Sequence, residues 1–173
     1  MGTSPGRLHK MKRMLLALLT LSVMLSMRSR SAPAGQATAA SGVWRYKPTI
    51  EQVRVVDSKA YFETSAEGVW TGTFIGPSTE SGQVVIHGSG TWSFSDTISF
   101  SRVTVDRRSG TLELSIVGER PNVSADWQGE WVILSGTGDL ATLRGQGTWW
   151  APATPEAGEW SIAYYGGEVD FGP

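Results

Sequence analysis

Apolar and polar positions alternate along most of this chain. Trp70, Gly72 and Phe74 alternate with Val69, Thr71, Thr73 and Ile75. Val84, Ile86, Gly88, Gly90, Trp92 and Phe94 share one face of a longer run. Leu112, Leu114 and Ile116 alternate with Thr111, Glu113 and Ser115, and Trp127, Gly129, Trp131 and Ile133 with Asp126, Gln128, Glu130 and Val132. A period of two marks a strand with one buried face. Beyond the first thirty or so residues no segment sustains a helical period. Turn signals punctuate the strands at Gly76-Pro77-Ser78, Glu80-Ser81-Gly82, Arg108-Ser109-Gly110, Arg120-Pro121-Asn122 and Gly136-Thr137-Gly138. The segment Glu159 to Tyr165 alternates again and reads as a last strand able to pair with the first, with Gly166-Gly167 turning the chain after it. Short strands at this spacing predict an all-β barrel or sandwich.

Glycine and tryptophan positions favour the barrel. Gly72 lies two residues from Trp70, Gly90 two from Trp92, Gly129 two from both Trp127 and Trp131, and Gly147 two from Trp149. A glycine on the same face as an aromatic relieves strand coiling at a closing corner, and the ring covers the gap. Closure also removes sheet edges. The inward rings of Trp70, Trp92, Trp127, Trp131 and Trp149 either fill the barrel or form a platform for a ligand; small barrels are filled by such side chains.

The hairpin Arg107 to Leu114, the WQGEW run Trp127–Trp131 and the string SGTGDLATLRGQGTW from Ser135 to Trp149 together resemble a bacterial allene-oxide-cyclase-like barrel family. GVWTGTF (Gly68 to Phe74) and GSGTW (Gly88 to Trp92) fit its earlier strands, so the resemblance runs from about Val53 to Trp150. It implies a single closed or nearly closed antiparallel barrel of about eight strands, with the Gly-rich string crossing between late strands. It also implies the plant cyclases' activity, isomerisation of a lipid epoxide held in the barrel, by analogy of fold alone. No local motif matches those enzymes' active-site residues. Members of such a family can self-associate.

The Gly-rich string has a structural reading of its own. Gly136 and Gly138 admit backbone conformations closed to other residues. Asp139 can cap the turn Leu140 to Leu143. Leu140 and Leu143 can plug one end of a barrel, and Gly145 and Gly147 reopen a strand toward Trp149. A phosphate loop would need the Lys-Ser/Thr ending and the long helix that are absent here.

The first residues read as an address. Arg7, Lys10, Lys12 and Arg13 precede a largely apolar stretch from Met14 to Met27. That stretch is shorter than the roughly 20 residues a membrane helix needs and suits the core of a signal peptide. Ala32-Pro33-Ala34 and Ala37-Thr38-Ala39 are candidate cleavage sites, with Arg28 and Arg30 in an unusual place before them. The organisation expected is a signal peptide over 1–34, a flexible small-residue segment over 35–50 and a barrel over 51–173. Localisation is then secreted or extracytoplasmic, with no stable membrane insertion after cleavage.

Removing the leader changes the charge. Of 15 Lys and Arg, six precede Gly35, where no acid stands, so nine cations face 16 acids beyond it, a net charge near −7. Such a surface argues against nucleic acid as a partner, since binding it requires basic clusters, and against anionic membranes.

Candidate chemistry is sparse. The chain has no Cys, and His87 is the only His after the leader, so the usual zinc sites are excluded and no metal or cofactor is expected. His87 alternates onto the face of Ser89 and Thr91, as a solvent-facing strand residue would. Glu113 and Glu130 stand opposite apolar faces and are read as solvent-facing. Glu63 and Glu67 precede the first strong strand, close to Tyr61 and Phe62. Inside an apolar barrel a carboxyl would have a raised pKa and could serve as a general acid or base; the pattern assigns none to the interior. Asn122-Val123-Ser124 is an N-glycosylation sequon that also reads as a turn after Pro121. Two functions remain: a secreted barrel holding a small apolar ligand, and an isomerase or cyclase working on a lipid-like substrate.

Overall fold

Eight strands follow one another in the order of the chain, each bonded to the next and the last to the first, in a closed antiparallel barrel. They are β1 (Thr38–Val56), β2 (Lys59–Gly72), β3 (Gly76–Ile86), β4 (Trp92–Val105), β5 (Arg108–Arg120), β6 (Trp127–Gly136), β7 (Leu143–Ala151) and β8 (Ser161–Phe171). A computed structural model describes residues 37–153 and 159–172. The proposed leader lies outside the described residues.

The barrel expected from the alternation is present, and its ends are defined by the turns. Turns at 57–58, 87–91 and 121–126 lie at one end, here called the mouth. Turns at 73–75, 106–107 and 137–142 lie at the other, together with the start of β1 and the end of β8. That second end is plugged. The 3-10 turn Gly138–Leu140 buries Leu140 completely, and Leu143, Val105 and Leu112 at the same end are buried with it. Asp139 sits inside this turn rather than at its N-cap, which is Thr137, and no side chain caps it.

Several boundaries differ from the sequence reading. Residues 35–50 read as a tether because Ala39, Ala40, Ser41 and Gly42 are small. From Thr38 onward they are strand, bonded to β8 from Thr38↔Val169 to Tyr46↔Ser161 and to β2 from Gly42↔Gly72. Partners on both sides override weak local propensity. Pro48 lies two residues beyond the last β1–β8 pair, where β1 is bonded on one side only and a residue without N–H is tolerated. Glu80-Ser81-Gly82 is not a turn but the middle of β3. The supposed long run from Val84 to Phe94 is two strands, folded back so that Ile86 pairs with Trp92. Arg108-Ser109-Gly110 opens β5. The turn lies at Asp106-Arg107, with φ of 46° and 65°, the left-handed pair that a two-residue hairpin demands. Gly166-Gly167 does not turn the chain; β8 runs through it.

Candidate functional site

Six of the eight tryptophans point inward, and they divide the interior into two halves. In the plugged half the rings pack without room. Trp70 meets Phe100 edge-on at 5.5 Å and Tyr165 at 4.9 Å, and Trp131 meets Phe74 edge-on at 5.5 Å. Each polar handle has a partner: Trp70 Nε1 donates to Ser78 Oγ (3.1 Å), Trp131 Nε1 to the Gly166 carbonyl (3.2 Å), and the Tyr165 hydroxyl to the Thr71 carbonyl (3.1 Å) while accepting from Phe74 N–H (3.0 Å). Burial pushes the Tyr165 phenol up from its ordinary pKa. A remaining void of 10 Å³ between Trp44, Trp70, Ile116 and Trp131 is at the limit for one water.

The mouth half holds a cavity of about 90 Å³. Trp44, Phe94, Trp127 and Trp149 are its aromatic walls, and Tyr46, Thr64 and Glu80 supply polar groups. Trp44 stacks on Tyr46 at 4.2 Å and on Trp70 at 5.3 Å, so its plane is fixed from both sides. Trp149 is fixed by donation from Nε1 to the Val117 carbonyl (3.0 Å) and lies over Gly118 and Gly129, where a β-carbon would collide with the ring. A larger concavity of about 1220 Å³ lies over β4 to β7 among Glu119, Gln128, Glu130 and Trp150. Most of its residues are exposed, so it encloses nothing. The small interior cavity is the place where polar groups converge among aromatic walls.

The chemistry of that cavity is a pair of buried carboxyls. Glu80 on β3 and Asp96 on β4 are 7% and 4% exposed. Gly82 pairs with Asp96 across the two strands, and a β-carbon there would collide with the Asp96 carboxyl. The missing side chain is what lets this carboxyl lie against β3. Asp96 accepts from Gln83 N–H at Oδ1 (2.9 Å) and from the Thr64 hydroxyl at Oδ2 (3.4 Å). Burial raises the pKa of both groups. For Glu80, burial acts first and a hydrogen bond to Asp96 and its negative charge add to it, holding Glu80 well above the usual carboxylate range. Asp96 is raised by burial and partly relieved by bonds from Glu80, Gln83 and Thr64. Two like charges in so dry a place cannot both stand. Glu80 is therefore the protonated member, donating to Asp96, and its Oε2 has no partner.

Tyr46 and Arg120 complete the polar set. Burial, opposed by the Ser161 hydroxyl, pushes the Tyr46 phenol up to about 12. Ser161 stands opposite Tyr46 in the β1–β8 ladder, but Ser161 Oγ completes no hydrogen bond of good geometry. Arg120, last residue of β5, is 4% exposed and lies over the rings of Trp92 (4.1 Å) and Trp127 (4.6 Å).

Of the five candidate tryptophans, Trp127 and Trp149 line the cavity, Trp92 lies at the mouth beneath Arg120, and Trp70 and Trp131 are packed in the plugged half. Trp44 escaped the sequence reading because β1 did. Glu63, Glu67, Glu113 and Glu130 are exposed. His87 is half-buried at the β3–β4 turn, with Nε2 2.9 Å from Ser93 Oγ. Asn122 Oδ1 accepts from Ser124 N–H (3.0 Å), so the sequon forms a turn. Among the described residues no cluster of His, Asp and Glu could hold a metal.

The fold and its interior define a closed β-barrel with a buried carboxyl pair. No family model and no curated protein matches the sequence. Among solved structures, the chain is similar to a protein of unknown function from the DUF3224 family of Shewanella oneidensis, at TM-score 0.60 and 16% identity over 80% of this chain and 99% of that one. It is also similar to the pterocarpan synthase dirigent protein GePTS1, at TM-score 0.48 and 14% identity over 85% of this chain and 99% of that one. The first of these likenesses is one of fold alone.

Proposed function

We propose that this chain is a secreted, allene-oxide-cyclase-like barrel that takes a compact, largely apolar ligand with one oxygen function into the cavity below its mouth. The observation that carries this reading is Glu80. It is a neutral carboxylic acid with an unpartnered Oε2, set in an aromatic-walled space. A buried polar atom without a partner costs stability. With its proton given to Asp96, Glu80 presents Oε2 as an acceptor that a ligand hydroxyl would satisfy, and Trp44 Nε1 is also unpartnered. At about 90 Å³ the cavity accepts a ring or a short chain, not a whole fatty acid. Titration with short-chain alcohols, ketones, lactones and fatty acids, followed by Trp emission, is expected to show saturable quenching with the smaller members. No response from any compound would remove the ligand.

The second reading, an isomerase or cyclase, is favoured by one feature: the Glu80 proton is held beside a basic partner, Asp96, in an aromatic-walled space. Glu80 would pass its proton to a ligand oxygen, the positive charge so formed would stand against the carboxyl pair, and the proton lost from the product would return to that pair. Incubation with a short-chain epoxide and chiral analysis of the product tests it; a product distribution identical to that of the spontaneous reaction would sink it. Export rests on the leader's pattern. Bonding of β1 to β8 from Thr38 onward favours Ala34 over Ala39 as the last residue removed, and the N-terminal sequence of the exported protein would decide between them.

A further inference from the structure

Among the described residues, Arg120 is a buried cation without an opposite charge. Its Nη1 donates to the Val123 carbonyl (3.1 Å), and its Nε is buried and has no partner. Among the described residues no carboxylate reaches ion-pair distance, and Nη1 is the only one of its nitrogens that a hydrogen bond engages. The titrating group whose charge acts on the guanidinium is Tyr46. Its other neighbours are the faces of Trp92 and Trp127. Buried charges are as a rule paired, because desolvation is expensive and rings return only part of the cost. The rings also hold the guanidinium plane still, while the carbonyl bond to Nη1 leaves the Nε edge without a partner. That edge is half of the fork that binds a carboxylate through two parallel hydrogen bonds.

We propose that Arg120 is an anion subsite at the barrel mouth, and that the ligand is a small monocarboxylic acid whose carboxylate pairs with Arg120 while its apolar body lies against Trp127 in the cavity. The inference rests on the proposed function and names the class of ligand. Trp127 joins the two parts of the site, since its ring carries the guanidinium and also lines the cavity. Tyr46 lines the same cavity. A carboxylate is favoured over a phosphate because one guanidinium with one unpartnered edge matches a single negative charge. Protonation of Glu80 leaves the carboxyl pair with one negative charge instead of two.

The test pairs charged and uncharged ligands of one shape. Straight-chain carboxylates of four to eight carbons and the corresponding primary amides are titrated at pH 7 into the purified protein, with Trp emission and calorimetry as readouts. At least one carboxylate is expected to bind tenfold or more tighter than its amide. In Arg120→Gln that preference should vanish while amide binding persists, and Arg120→Lys should keep part of it. Near-UV circular dichroism checks that each variant is folded. Equal binding of acid and amide by the wild type, or an undiminished preference in Arg120→Gln, overturns the subsite and leaves the ligand-binding reading standing. Binding of neither series overturns both.

Discussion

Glu80 shows how a single residue can be invisible in a sequence and still govern a site. Gly82 behind it and Pro77 before it gave the segment the composition of a turn. Parity held the missing signal: stepping back by twos from Val84 passes Gly82 and reaches Glu80, and stepping forward from Phe94 reaches Asp96. Both carboxyls lie on the inward face for that reason. Their protonation makes a sign-definite prediction. The folded state keeps at least one proton that the unfolded chain releases above about pH 4. Stability therefore falls as pH rises from there until the folded pair itself titrates, at most by about 1.4 kcal/mol per pH unit for each proton retained. The pair titrates as a unit. Glu80→Gln keeps a donor of the same shape and removes one titrating group. Urea denaturation between pH 5 and 8 should show the wild type losing stability with pH and the variant losing less; parallel curves would mean that the carboxyls are not coupled.

At the scale of elements, the strands with clean alternation were legible, and the errors fell where a glycine had a purpose other than turning. Gly82 makes room for a carboxyl, and Gly167 lies under the Trp131 ring. Gly110 is approached by the Thr137 carbonyl of the plugging turn. Conversely, Asp106-Arg107 turns without any glycine. Gly82→Ala should push Asp96 off β3 and cost about 1–3 kcal/mol, as overpacking does. Thermal denaturation would measure it, and the pH dependence described above should weaken in the same variant. The plug was legible because leucines three apart in a short turn have few other uses. Leu140→Ala should cost about 2–5 kcal/mol, and it should do so without changing ligand binding at the opposite end. A loss of binding equal to that of cavity variants would mean that the two halves of the interior are not independent.

The whole molecule depends on one seam. Closure was expected from the last strand's pattern, but its partner was not, because small residues hid β1. Nine ladder pairs between Thr38 and Tyr46 hold β1 to β8. Removing the chain through Tyr46 would leave edges on β2 and β8 and take Trp44 and Tyr46 out of the cavity wall. Size-exclusion chromatography should show association or aggregation of that truncation, as unpaired edges invite, whereas a chain beginning at Ala37 should behave as the longer protein does. Interior function was the least legible level, since it depends on which faces of eight strands meet, and pattern gives each face without its neighbours.

β1 starts and β8 ends beside the plug, on the side away from Arg120 and the cavity. Anything joined to either terminus of the barrel is thus joined to its closed floor. A sensor surface, a bead or a fused domain attached through the C-terminus would hold the protein upright, with the Arg120 end turned toward the solution.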